Sequence, residues 1–202
     1  MKVICIGRNY IDHAKEMNSP TPSKPIFFLK PDTALHKDAD WYHPEFSNEI
    51  HYEVELVVKI SKVGKYISEL NAGNYYQQIG LGIDFTARDL QQECKKNGLP
   101  WECAKAFDSS AVIGHQFFDK ATLDLNNINF SLKLNQETVQ QGNSKDMIFT
   151  IDNIIAYVSQ FVTLKTGDLI FTGTPVGVGK VSIDDQLEGF LENQSVFKLN
   201  IR

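Results

Sequence analysis

Cysteine is scarce and unpatterned in this 202-residue chain: Cys5, Cys94 and Cys103 are odd in number and form no CxxC. That argues against a disulfide framework or a thiolate zinc site and leaves all three as expected small buried hydrophobes. Positive charge is also in short supply. Lys and Arg total 20 against 25 Asp and Glu, for a formal charge of −5, and the longest basic cluster is the pair Lys95-Lys96. A nucleic-acid partner, which needs a basic face, is therefore not expected. Long apolar runs are missing as well. At the N-terminus Val3-Ile4-Cys5-Ile6 gives way at once to Gly7-Arg8, too short for a signal peptide or a membrane helix, so a cytoplasmic protein with no membrane partner is expected. No repeat, low-complexity tract or Pro/Gly/Ser linker divides the sequence, and a single domain over residues 1–202 is the expectation. A chain of this size buries roughly 70% of its unfolded surface, so a metal is not needed merely to hold a core together. Any metal site would point to function.

What is present is a mixture of short strands and a few well-punctuated helices. Lys2 to Ile6 and Pro25 to Leu29 read as short buried strands, the second stopped by Pro31. His51 to Ile60 is the clearest strand, with His51, Glu53 and Glu55 on one face and Tyr52, Val54, Leu56 and Val58 on the other. Asn129 to Leu134, Leu169 to Thr172 and Val196 to Ile201 are further strand candidates. One helix is expected after a Thr86 cap, with Asn97-Gly98 as its left-handed stop. A second is expected from about Asp152 to Phe161 behind a Thr150 cap, and a short one over Asn9 to Met17 with Asn9 as its cap. Strands outnumber helices and no regular βαβ alternation is visible, which implies a β-rich α+β fold.

Several constellations carry possible chemistry. Glu53 and Glu55 share a strand face, and Asp84 ends the apolar run Ile79 to Ile83 just before a helix, where functional side chains are commonly presented. Three carboxylates in one cleft repel unless a divalent cation neutralises them, and all-oxygen ligation suits Mg²⁺ or Mn²⁺ better than Zn²⁺. Three protein ligands leave positions open for a 2-oxo acid to chelate the ion through its carboxylate and keto oxygens. Read alone, each feature also fits a solvated charged face or a structural aspartate. His13 and Glu16, three apart on a short helix, form a dyad suited to deprotonating water near neutral pH, although such a pair is also common surface decoration. Lys105 sits in the aromatic, apolar stretch Trp101 to Asp108, where an ammonium either stabilises an enolate or snorkels to solvent. Arg88 and Gln91 share a helix face that suits a carboxylate. The stretch Gly173 to Val181 lacks Walker spacing and a dinucleotide fingerprint. It reads as a tight loop whose backbone and Thr174 hydroxyl approach a ligand.

In order along the chain, the segments Gly7-Arg8-Asn9-Tyr10 with His13 and Glu16, Pro25 to Pro31, His51 to Leu56, Gly82 to Asp89, Ala104 to Asp108 and Thr172 to Gly179 resemble the fumarylacetoacetate hydrolase family. The resemblance is to its short single-domain members, the acylpyruvase and oxaloacetate decarboxylase type, and it spans nearly the whole chain. It implies a mixed β-sandwich roll with Mg²⁺ or Mn²⁺ held by Glu53, Glu55 and Asp84. It further implies His13 and Glu16 as a water-activating dyad, Lys105 as the active-site lysine, and Arg88, Gln91, Thr174 and Lys30 near the substrate. A homodimer, and a dyad segment able to act as a lid, are part of the same expectation. The implied reaction is metal-dependent hydrolysis of an acylpyruvate to pyruvate and a carboxylic acid. Oxaloacetate decarboxylation ranks second, and isomerisation or hydration of unsaturated 2-oxo diacids third. A non-catalytic 2-oxo-acid-binding protein is the alternative of a different class, and the presence of His13, Glu16 and Lys105 beside the carboxylates speaks against it, because binding needs no base.

Overall fold

The structure is a computed structural model and describes residues 1–17 and 20–202. Its largest sheet runs in the order Ile26–Lys30, Val3–Gly7, Leu169–Phe171, Val54–Ile60, Tyr76–Asp84, Ala111–Ile113, Leu35–His36, with Phe118–Asp119 also pairing to Tyr76–Asp84. Most neighbours are antiparallel, but Val3–Gly7 lies parallel to Leu169–Phe171 and Leu35–His36 lies parallel to Ala111–Ile113, so the sheet is mixed. A five-stranded sheet of Glu137–Asn143, Asn129–Leu134, Gln186–Leu191, Gln194–Ile201 and Asp40–Trp41 supplies the second layer. A small sheet joins Gly179–Lys180, Ile50–Tyr52 and Thr86–Ala87. This is the β-rich α+β architecture that the sequence pattern implies. Among the described residues no helix is long and apolar enough to cross a membrane.

The period of two along Val54–Ile60 decides where the core and the site lie. Val54, Leu56, Val58 and Ile60 enter the main core together with Leu132, Leu187, Val196 and Leu199 of the second layer. Val57 points to the opposite face and joins a smaller cluster with Val3, Cys5, Ala111 and Phe171. Glu55 shares the parity of Val57, so a charged side chain lies on an otherwise apolar face. Antiparallel pairing sets Glu55 opposite Gly82 and Val54 opposite Ile83, and Asp84 N donates to Glu53 O at 2.9 Å. That register brings the third carboxylate to the first two. It depends on Gly82, because a Cβ there would stand 2.4 Å from Val112 O and 2.8 Å from Phe171 Cε1.

Several local expectations need correction. The run from His51 to Ile60 is two strands, Ile50–Tyr52 and Val54–Ile60, with the break at Glu53. Ile26–Lys30 is an edge strand whose Ile26 and Leu29 are exposed, not a buried one. Cys103 is exposed, unlike Cys5 and Cys94. The helix Ile11–Glu16 begins after Tyr10, with no side-chain cap. Asn9 does not cap it because its amide is spent on Phe149 O at 3.0 Å, Thr172 O at 2.7 Å and Phe149 N at 2.8 Å. The helix Arg88–Asn97 begins after Ala87, and Thr86 lies in a short strand instead of capping it. Its left-handed stop at Gly98, φ +64°, is as expected. Thr150 caps Ile151–Val158 by accepting from Asn153 N at 3.2 Å, and that helix ends before Phe161.

Candidate active site

One cleft is lined by His13, Glu53, Glu55, Asp84, Arg88, Gln91, Lys105 and Thr174, eight of the ten residues that the sequence reading selects. Arg8, Met17, Phe28, Lys95 and Trp101 complete much of its wall. Glu16 lies just behind His13: His13 Nδ1 and Glu16 Oε2 are 2.9 Å apart, and Glu16 Oε1 accepts from Gly177 N at 3.0 Å. Lys30 does not line the cleft. It is buried beneath Asp84, with Nζ 2.7 Å from Asp84 Oδ1 and donating to Ser110 O at 2.8 Å and Ser110 Oγ at 3.0 Å. A ligand in the cleft therefore meets Asp84 and not Lys30.

Glu53, Glu55 and Asp84 each present a carboxylate oxygen, and these atoms lie within 4.8 Å of one another with all three residues buried. Basic side chains from outside the strand also reach the cluster. Lys105 Nζ donates to Glu53 Oε2 at 2.8 Å, Asp84 Oδ2 at 2.9 Å and Thr86 Oγ1 at 2.5 Å, and Arg88 Nη2 donates to Glu53 Oε1 at 2.5 Å. The three donors of the ammonium are thereby all used, so Lys105 orients two carboxylates and is neither a snorkelling chain nor a free donor. Arg88 is aligned in turn by Gln91, to whose Oε1 its Nη1 donates at 2.8 Å, while its buried Nε has no partner among the described residues.

These contacts divide the carboxylates. Burial opposes ionisation of Glu53, but Lys105 and Arg88 outweigh it and hold the group well below the ordinary carboxylate range. Burial favours the neutral form of Lys105, but Asp84 and Glu53 prevail and raise its pKa, so the ammonium stays charged. Among the described residues Glu55 receives only Gly173 N, at 2.7 Å, and it is pushed well above its usual range by burial and by the charges of Asp84 and Glu53. A divalent cation among the three oxygens would relieve that repulsion, and a buried all-carboxylate donor set fits Mg²⁺ or Mn²⁺. The protein's own cations neutralise Glu53 and Asp84, and Glu55 is the ligand left for the ion to neutralise.

The glycine loop after Leu169–Phe171 ties these parts together. Gly173, at φ +99°, packs its Cα side against Asn9, where a Cβ would lie 2.6 Å from Asn9 Cβ. Its N–H meets Glu55, Gly177 meets Glu16, and the Thr174 hydroxyl donates to Val54 O at 2.9 Å. Sequence reasoning missed Gln140, whose Oε1 accepts from Val54 N at 2.9 Å and whose Nε2 donates to Thr174 Oγ1 at 2.9 Å. It satisfies the backbone where the strand breaks beside Glu53. Arg8 and Lys95 were also missed as residues of the cleft, since neither stands at a chemically distinctive spacing.

The chain is similar over nearly its whole length to known proteins. A mouse protein named oxaloacetate tautomerase FAHD1, mitochondrial, is 41% identical over 201 residues, covering 99% of this chain and 91% of its own. Oxaloacetate tautomerase YcgM of Escherichia coli is 42% identical over 202 residues, covering 96% and 90%. The crystal structure of fumarylpyruvate hydrolase from Pseudomonas aeruginosa in complex with Mn²⁺ and pyruvate superposes with a TM-score of 0.93 at 34% identity, covering 100% of this chain and 89% of that one. These relatives are enzymes. The family model described as fumarylacetoacetate (FAA) hydrolase C-terminal matches residues 2–202, and the chain belongs to the fumarylacetoacetate hydrolase family.

Proposed function

We propose that this protein is a Mg²⁺- or Mn²⁺-dependent enzyme that interconverts the enol and keto forms of oxaloacetate. The observation that carries a proton-transfer reaction is His13: its ring is buried, 6% exposed, lines the cleft of the carboxylate cluster, and has Nδ1 held by Glu16. With Nδ1 donating to Glu16, Nε2 is left as the basic nitrogen. The choice of oxaloacetate is supported by the two tautomerases at 41% and 42% identity. Hydrolysis, ranked first on the resemblance alone, stands second on this weighting. It retains support from the fumarylpyruvate hydrolase, whose crystals hold Mn²⁺ and pyruvate.

Glu53, Glu55 and Asp84 would hold the ion, and Lys105, Lys30 and Arg88 pair with Glu53 and Asp84 and keep those two carboxylates aimed. When bound, the ion supplies a Lewis acid that polarises the 2-oxo group and favours the enolate. His13 Nε2 takes a proton from C3 of the keto form, and the same proton is returned to the enolate oxygen to give the enol. The reverse path delivers it to C3, so no water is consumed and no bond between heavy atoms breaks. Glu16 keeps the imidazole oriented through both transfers, and its second oxygen on Gly177 N fixes the dyad against the glycine loop. In hydrolysis the same nitrogen would instead deprotonate a water that attacks the distal carbonyl. Decarboxylation of oxaloacetate would instead break the C3–C4 bond, releasing CO₂ and leaving the enolate of pyruvate to be protonated at C3, and the bond-breaking step would need no base.

The test follows the enol absorbance of oxaloacetate with Mn²⁺-loaded protein, alongside pyruvate release from oxaloacetate and from acetylpyruvate. Accelerated enol–keto exchange that falls about 10²-fold in His13→Ala is the expected result, the usual contribution of a positioned base. No acceleration by the wild type, or full acceleration by His13→Ala, would remove the reading.

A further inference from the structure

The cations of the cleft fall into two sets. Lys30, Lys105 and Arg88 are committed to Asp84 and Glu53. Arg8 and Lys95 line the same cleft and are committed to no carboxylate: among the described residues Arg8 has no hydrogen bond or ion pair, and Lys95 has only the Trp101 ring, 5.6 Å from its Nζ. The two are close enough to act on each other. Lys95 is exposed as a whole residue, and the partial burial of its ammonium together with the fields of Arg88 and Arg8 holds its pKa below the ordinary lysine range.

Arg8 also stands in a costly backbone conformation. Its φ of +60° is in the left-handed region, which a long side chain adopts only when its surroundings enforce it. The enforcement is visible next door, where Asn9 is pinned to Phe149 and Thr172 by three hydrogen bonds. The strained turn directs Arg8 into the cleft wall without giving it any partner in the protein. Two cations lining one cleft without a carboxylate of their own, in the same cleft as a cluster of three carboxylates, are a site for an anion of the ligand.

We propose that Arg8 and Lys95 bind the second carboxylate of a dicarboxylic 2-oxo acid and thereby select dianionic over monoanionic ligands. The inference rests on the 2-oxo-acid reading above and adds the residues that set substrate class. The first carboxylate and the 2-oxo group would belong to the ion, and the charge at the far end of the molecule is what Arg8 and Lys95 recognise. A monocarboxylate such as pyruvate reaches only the first set.

The experiment compares binding of oxaloacetate and pyruvate to Mn²⁺-loaded protein by thermal shift and calorimetry, in wild type, Arg8→Gln, Arg8→Lys, Lys95→Gln and Lys96→Gln. Arg8→Gln and Lys95→Gln should each weaken oxaloacetate about tenfold or more, the scale of one charge-assisted hydrogen bond, and pyruvate less than about twofold. Arg8→Lys should recover part of the loss. Lys96 is exposed like Lys95 but does not line the cleft, so Lys96→Gln removes the same net charge and should leave the ratio of the two affinities unchanged. Equal weakening of both ligands, or no change in either, would overturn the assignment. Because the readout is binding, a wild type that binds oxaloacetate but fails to turn it over would refute the proposed reaction and leave this comparison decisive.

Discussion

Replacing Lys105 by Met tests the charge arrangement beneath the site. The ammonium holds Glu53 Oε2 at 2.8 Å and Asp84 Oδ2 at 2.9 Å, and the side chains of all three residues are less than a tenth exposed. Lys105→Met keeps the length and apolar packing of the side chain while stranding two buried carboxylates, which is the costly half of breaking a buried ion pair, about 3–5 kcal/mol. For a chain of about 200 residues each kcal/mol shifts the melting temperature by about 2–4 °C, so metal-free Lys105→Met should melt roughly 6–20 °C below metal-free wild type. Added Mn²⁺ should stabilise the variant more than the wild type, because the ion replaces the missing positive charge at the same oxygens. The assay is a thermal melt of both proteins in chelator and in saturating Mn²⁺. A variant that melts with the wild type in chelator, or one that gains no more from Mn²⁺ than the wild type does, would refute the view that Lys105 balances Glu53 and Asp84.

Two further substitutions probe the frame. Gly82→Ala places a Cβ 2.4 Å from Val112 O, against backbone that cannot swing aside, so it should cost about 1–3 kcal/mol or more and weaken Mn²⁺ binding by disturbing the Glu55–Gly82 pairing; unchanged melting and Mn²⁺ affinity would show the contact to be soft. Asn9→Ala removes one buried hydrogen bond to Thr172 and two part-buried ones to Phe149, a loss of about 3 kcal/mol in urea unfolding, and a change below about 1 kcal/mol would mean that the anchoring is not needed.

The parts of this molecule readable from sequence are those set by local periodicity and by motif. Alternation from Val54 to Ile60 correctly separated the core face from the carboxylate face, and Thr150 and Gly98 behaved as helix punctuation because nothing distant competes for them. Asn9 and Thr86 look the same in sequence yet do not cap. Asn9 is claimed by Phe149 and Thr172, far along the chain, and Thr86 by Lys105. Gln140 left no local trace for a similar reason, since its partners Val54, Thr174 and Pro175 are brought to it only by the stacking of the sheets. The candidate ligands Glu53, Glu55 and Asp84 were legible as a set and Lys30, Lys105 and Arg88 as residues near them, but the pairing of those cations with Glu53 and Asp84 was not. The reach of Lys30 and Lys105 to Asp84 is a product of sheet order and not of spacing.

Titration of Mn²⁺ into chelator-stripped wild type and Glu55→Gln, with enol–keto exchange of oxaloacetate followed in the same samples, tests the central claim most directly. Glu55 is the informative ligand because among the described residues no lysine or arginine pairs with it, so its neutralisation strands no cation and should leave the fold intact. The account predicts about one ion per wild-type chain, activity that vanishes in chelator and returns in step with Mn²⁺ occupancy, and a Glu55→Gln protein that is folded but loses both binding and activity. Full activity in excess chelator, or undiminished Mn²⁺ binding by Glu55→Gln, would contradict it.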